Sequence, residues 1–322
     1  MTTLPDDRHS AEGPWHPAGD AWHPAGDPWH STGDPWHTTE DLDEFLARGG
    51  AFLRSRPDLH TVLLTVTEGL RTRGLHAYGS AAPVFGLLAE GGEVCGAYFR
   101  TPPYRLYLSP LTAERAEALA AHLAALGQDV PGVSAEAGTA GRFAEAWARR
   151  TGAVAVPYQR QRLYRLGELS VPRPAPAGRA RIAGPGDREL LVRWFGEFVR
   201  DIGEDEKDPV RAGSWADTRL AYDGVALWEA PDGTPVSMAG LTPLVAGQIR
   251  VAPVYTPAPL RGRGHAGAVT AEVSRVARER GAEEVLLFTD LANPTSNGLY
   301  QRIGYRPVAD FAVYDFQGQS SS

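Results

Sequence analysis

The sequence predicts a mixed α/β fold built in two halves. Read from Val84, the elements run strand, strand, strand, helix, strand, helix, strand, and the same order returns from Val225. A Pro-rich stretch, Val171 to Gly178 (VPRPAPAG), separates the two runs and has the composition of a semi-rigid linker. The length, 322 residues, exceeds what one hydrophobic core usually organises. The expected division is a tail over 1–40, a first domain over 41–170, the linker over 171–178 and a second domain over 179–322.

The tail holds a tandem repeat, PWHPAGD, AWHPAGD, PWHSTGD, PWHTT, over residues 14–38. Its period is seven, but the recurring Pro and Gly exclude a coiled coil. Few aliphatic residues and many helix breakers predict disorder. His16, His23, His30 and His37 could together bind metal, although nothing in the repeat fixes the imidazoles in a coordination geometry. From Asp41, Leu42, Phe45, Leu46, Phe52 and Leu53 mark a helix, and Pro57 to Arg73 a second. Val84 to Glu90 and Glu93 to Arg100 read as a hairpin across Gly91-Gly92, with Tyr104 to Leu108 a third strand. Thr112 to Leu126 is an amphipathic helix ended by Gly127. Val130 to Ala135, Thr139 to Arg150 and Gln161 to Leu166 complete the half as strand, helix and strand.

The second half opens with a strand at Arg179 to Ala183, then a helix capped by Asp187 with Leu190, Leu191, Trp194, Phe195 and Phe198 inward. An acidic segment follows, Asp201 to Asp208, and then a helix with Trp215 and Leu220. Strands are expected at Val225 to Glu229, Pro235 to Leu241 and Gln248 to Thr256. After a turn, Ala266, Val269, Val273, Val276 and Ala277 share a helix face; Glu284 to Thr289 is a buried strand, and a helix after Pro294 leads to a strand over Tyr305 to Phe316.

Chemistry concentrates in Arg261-Gly262-Arg263-Gly264-His265-Ala266, a Gly-rich turn after a strand and before a helix. Backbone N–H groups and the helix dipole favour an anion there. Gly262 to Gly267 fits GxGxxG, with Asp290 near the place of a ribose-binding acid, so a dinucleotide site is one reading. Against it, Thr256-Pro257-Ala258-Pro259-Leu260 separates strand from glycine, and too little chain follows for two mononucleotide-binding halves.

The same residues resemble the pyrophosphate loop of the GNAT superfamily of N-acetyltransferases, Gln/Arg-x-x-Gly-x-Gly/Ala, met here by Arg261, Gly264 and Ala266. A second stretch, Asn293 to Tyr300 and then Gln301-Arg302-Ile303-Gly304-Tyr305, resembles that family's Asn…Tyr helix and the strand that follows it. The resemblance implies two GNAT-like domains, each a mostly antiparallel twisted sheet flanked by helices. It also implies acetyl-CoA as co-substrate and an amine of a small molecule or an aminoacyl group as acceptor. Val254, Tyr255 and Thr256 would line the pantetheine arm, and Arg261, Gly262, Arg263, Gly264, His265 and Ala266 would hold the pyrophosphate. Asn293 and Asn297 would bond the cofactor, and Tyr300 would protonate the departing thiolate. An N-cap role suits Asn293 equally, and a core tyrosine on an amphipathic helix suits Tyr300. A non-catalytic acyl-CoA-binding module is the second functional reading. The first half has Ser109-Pro110 where the glycines would be, so only the second half is expected to bind acetyl-CoA.

The general base is not evident. Many members of the family it resembles carry a glutamate on the strand before the loop; here that strand reads Gln248-Ile249-Arg250-Val251-Ala252. Glu229 and the acidic segment Asp201, Glu204, Asp205, Glu206 and Asp208 are candidates, and the segment would also steer a cationic amine. A net charge of −7 argues against nucleic acid, and no apolar run reaches membrane-spanning length. Cys95 is the only cysteine, which excludes an internal disulfide and a thiolate metal cluster. MTTLPDDRHS lacks the basic and apolar regions of a secretion signal, so a cytoplasmic setting is expected.

Overall fold

The computed structural model describes residues 35–203 and 209–318. The first run of elements is β1 (Trp36–Thr39), α1 (Leu42–Ser55), α2 (Thr61–Arg73), β2 (Val84–Glu90), β3 (Glu93–Arg100), β4 (Leu106–Leu108), α3 (Ala113–Ala125), β5 (Gly132–Glu136), α4 (Ala137–Thr151) and β6 (Val154–Leu166). The second run repeats that order: β7 (Arg179–Ile182), α5 (Arg188–Asp201), α6 (Pro209–Leu220), β8 (Val225–Glu229), β9 (Pro235–Leu241), β10 (Gln248–Tyr255), α7 (His265–Glu279), β11 (Glu284–Asp290), α8 (Pro294–Ile303) and β12 (Tyr305–Gln317).

All twelve strands join one sheet in the order β1-β2-β3-β4-β5-β12-β6-β11-β10-β9-β8-β7. The last strands of the two runs are exchanged. β12 pairs with β5, Ala312 opposite Ala135, while β6 pairs with β11, Tyr164 opposite Leu287. The cores follow the exchange: Ala312 packs with Leu119, Phe143 and Trp147, and Tyr164 with Val269, Leu287 and Ile303. A third cluster sets Leu191 and Trp194 of α5 against Leu227, Met238 and Tyr255. Among the described residues only β4–β5 and β10–β11 are parallel, so they do not form the doubly wound parallel sheet of a dinucleotide-binding fold and that reading falls.

Three sequence expectations need correction. The tail does not run to residue 40: β1 lies against β2 with Trp36 opposite Leu88, and Trp36 is buried with its ring 5.7 Å from that of Tyr98. Burying one large indole outweighs the repeat's poor local propensity. His37, at the same strand, lies 3.8 Å from Glu44, while His16, His23 and His30 lie outside the described residues. β6 starts at Val154 rather than Gln161, because its first half is largely exposed, shows no buried alternation, and owes its conformation to pairing with β12 alone. Asp187 stands at the N-cap position of α5 but its side chain makes no capping bond there; its carboxylate accepts from Arg181 and from the Gly184 N–H. No described helix is long and apolar enough to cross a membrane.

Candidate active site

β10 and β11 pair from Gln248–Glu284 to Val251–Leu287 and no further, although both strands continue. The parting begins at a β-bulge. Against β9, Val251 is opposite Leu241 and Val254 opposite Ala239, so Ala252 and Pro253 share one partner, Gly240. A Cβ on Gly240 would stand 2.6 Å from the Ala252 carbonyl oxygen, so glycine is needed for this close approach. The bulge also turns the strand over. Ile249 and Val251 pack with α7 residues, whereas Tyr255 packs with α5. The wedge that would take an extended ligand arm is thus bordered by Val254, Tyr255 and Thr256 on one side and Phe288 to Asp290 on the other.

The turn into α7 stands at the mouth of this wedge. Gly264 is its N-cap with φ +83°, and Gly262 has φ +76°; both lie in the left-handed region that glycine tolerates. No side chain caps α7, so the first amides, His265 to Gly267, lack intrahelical partners. A Cβ on Gly262 would meet nothing within 4 Å. The His265 Nδ1 is buried without a partner, and burial together with Arg263 holds the imidazole below its usual pKa. Open amides, an orphaned ring nitrogen and free space suit phosphate oxygens. The arginines are placed differently from expectation. Arg261 donates to the Thr256 carbonyl at 2.9 Å and pairs with Asp201, and Arg263 donates to the Pro259 carbonyl at 3.2 Å. Both brace the turn. Gly267 has another reason: its Cβ position is 3.0 Å from Leu299 Cδ1 and 3.5 Å from Pro172 Cγ, so the linker lies against the first turn of α7.

On α8, Asn293 is the N-cap, its Oδ1 accepting from the Ser296 N–H at 3.0 Å. Asn297 accepts from the Tyr164 hydroxyl at 2.9 Å and donates to the carbonyls of Asp290 at 2.7 Å and Asn293 at 2.8 Å. Both asparagines therefore fix the start of α8 to the end of β11 rather than standing free for a ligand. Tyr164, on the exchanged strand, was not singled out in the sequence; its hydroxyl also accepts from Gln301. Tyr300 is buried, with its ring edge-on to Tyr305 at 6.1 Å. Its hydroxyl makes no hydrogen bond among the described residues, and burial pushes its pKa up to about 12.

Glu229 is unsuited to be a base. It is buried on β8 and held by Arg181 at 2.5 Å and Arg179 at 3.7 Å. Of the acidic segment, Asp201 is paired with Arg261, and Glu204 to Asp208 lie outside the described residues. A carboxylate that sequence reading passed over is Glu197, which accepts from the Tyr255 hydroxyl at 2.9 Å. The available signal was the helical spacing of Trp194, Glu197 and Asp201 on α5, which puts them on one face. In the first run the place of the glycine turn is occupied by Ser109, wholly buried, its Oγ accepting from the Ala97 N–H at 3.0 Å. Thr112 caps α3. Among the described residues no three His, Cys, Asp or Glu side chains are grouped to hold a metal.

Residues 189–305 match the model of the acetyltransferase (GNAT) family. Similar solved structures include a GCN5-related N-acetyltransferase from Sphaerobacter thermophilus, 20% identical, TM-score 0.58, covering 87% of this chain and 95% of that one. A GNAT-family acetyltransferase from Colwellia psychrerythraea is 12% identical, TM-score 0.57, covering 88% and 99%. A glucosamine N-acetyltransferase region of a fungal multi-domain β-N-acetylglucosaminidase is 13% identical, TM-score 0.53, covering 88% of this chain and 38% of that one. No curated protein matches the sequence. At these identities the structural likeness establishes the fold, and the family match adds the lineage of the second run: residues 189–305 are a domain of the GNAT acetyltransferase family.

Proposed function

We propose that the chain transfers an acetyl group from acetyl-CoA to the amine of a small-molecule or aminoacyl acceptor. The observation that carries this is the glycine turn of open amides beside the parting of β10 from β11. The amides from Arg261 to Ala266 would hold the pyrophosphate, with Gly262 and Gly264 supplying the backbone shape and Arg263 and His265 its flanks. Val254, Tyr255 and Thr256 would line the pantetheine arm. The thioester supplies the activated acetyl group. Tyr300, with a phenol that burial keeps protonated, would donate to the leaving sulfur. Asn293 and Asn297 would keep α8, and with it Tyr300, in place.

Residues 179–322 would form the catalytic half and 41–170 a half without a cofactor site, the latter shaping the acceptor cleft. The lone Cys95 suits a reducing, cytoplasmic setting. Calorimetry of acetyl-CoA into the full chain, followed by thiol release with an amine panel, tests the reading. One site per chain and amine-dependent thiol release are expected. Binding without release for any amine would return the chain to an acyl-CoA-binding module, and no binding would end both readings.

A further inference from the structure

Arg250 occupies the middle of β10, where its neighbours Ile249 and Val251 are buried under α7. Strand alternation directs Arg250 to the opposite face, the face on which α2 lies. Its Nη1 donates to Thr61 Oγ1 at 3.1 Å and its Nη2 approaches Thr65 Oγ1 at 3.4 Å, with the guanidinium 6.0 Å from the centre of the Phe288 ring. Both threonines are neutral, and no carboxylate pairs with Arg250 among the described residues. Burial lowers its pKa to about 10, and Arg219 adds to the effect by repulsion. Arg219, on α6, donates to the Tyr222 hydroxyl, has a buried Nε without a partner, and likewise has no carboxylate among the described residues.

Two more donors belong to this cluster. The Tyr107 hydroxyl, on β4, which packs against the same α2 that Arg250 contacts, is buried and unpartnered among the described residues. Gln248 is wholly buried with Nε2 unpartnered, while its Oε1 accepts from the same Thr61 hydroxyl that Arg250 contacts. Two cations and two unused neutral donors with no anion among them are an unbalanced set. An unpaired buried charge is costly, and a planar guanidinium matches a carboxylate through paired hydrogen bonds. β10 then runs on to Val254, four residues or roughly 13 Å of strand away, which puts the cluster on the path to the proposed thioester wedge.

We propose that Arg250 and Arg219, with Tyr107 and Gln248, bind a carboxylate carried by the acceptor, so that the substrate is an amino acid-like amine. The assignment of that carboxylate to the acceptor rests on the acetyl-transfer reading, so its test includes a binding measurement that needs no acetyl-CoA. Matched probes are titrated into the full chain by calorimetry: β-alanine against ethylamine, and γ-aminobutyrate against propylamine. Phosphoethanolamine is a third arm.

In at least one pair the carboxylated member should bind at least about tenfold more tightly, as expected for charge-assisted hydrogen bonds. Arg250→Gln should abolish the preference, and Arg219→Gln should reduce it. Should Arg250→Gln fail to fold, Arg219→Gln and Tyr107→Phe carry the same test. In the transfer assay kcat/KM should favour the same probe. Equal affinities within both pairs, or a preference that survives these substitutions, would overturn the proposal. Tighter binding of phosphoethanolamine than of either amino acid would reassign the anion as phosphate and overturn it too. A carboxylate preference without thiol release would defeat acetyl transfer and leave the carboxylate site standing.

Discussion

The Tyr255 hydroxyl donates to Glu197 at 2.9 Å, and one helical turn further along α5 Asp201 pairs with Arg261. Helix α5 thus grips both the end of β10 and the turn that follows it. Burial, reinforced by the carboxylate partner, raises the Tyr255 pKa to about 12, so Tyr255 stays a donor at neutral pH. Glu197→Gln weakens that grip and removes the charge that favours the protonated phenol. The variant should titrate one tyrosine at lower pH than the parent in an ultraviolet difference titration, and acetyl-CoA should bind several-fold less tightly. Unchanged affinity would show that the turn needs no support from α5.

Tyr300→Phe should lower kcat by at least about a hundredfold, the low end of what a positioned acid contributes, with the acetyl-CoA dissociation constant little changed. The hydroxyl acts only as charge develops on sulfur, so its loss falls on the transition state. Because burial raises the pKa to about 12, the acid form persists through neutral pH, and kcat should show no fall assignable to Tyr300 below roughly pH 10. An unchanged kcat in Tyr300→Phe would leave Tyr300 as a core residue.

Gly264→Val should weaken acetyl-CoA binding and lower the melting temperature. The strain comes from φ +83°, costing about 1–2 kcal/mol for a residue with a Cβ; the nearest atom to that Cβ would be Pro176 Cδ at 3.8 Å. Gly281→Val is the control, since Gly281 has φ +87° and nothing within 4 Å of its Cβ position but sits at the opposite end of α7. Both should melt lower, and only Gly264→Val should lose affinity.

Tyr164→Phe should cost about 1–3 kcal/mol, the penalty for leaving a buried hydrogen-bonding group unpaired. It strips Asn297 and Gln301 of their shared partner. A double-mutant cycle with Asn297→Ala should show coupling between the two changes; additive effects would mean that α8 is held some other way.

Chains beginning at Pro35 and at Thr39 differ by the Trp36 side chain and most of β1. The second should be less stable by about 3–5 kcal/mol, the cost of deleting a buried tryptophan. Comparing their denaturant midpoints checks this, and equal midpoints would deny β1 a part in the core.

Local periodicity and turn chemistry determined much of this molecule in advance. The order of the nine elements after each opening strand was readable because helices and strands advertise their buried faces at periods near 3.6 and 2. The Gly262–Gly264 turn followed from a short stretch whose chemistry is local, and the helix that carries Tyr300 from the Asn-Pro start at Asn293. Partnership was decided only by the tertiary structure. The exchange of β6 and β12, the burial of Trp36 and the use of Asn297 for Tyr164 depend on which distant strand each element meets. Arg250 shows this most plainly: it reads as one charged residue in a mostly apolar strand until Thr61, 189 positions earlier, and Arg219 and Tyr107 are brought around it. A strand's own pattern specifies which face is buried; what lies across from that face is set by long-range pairing and packing.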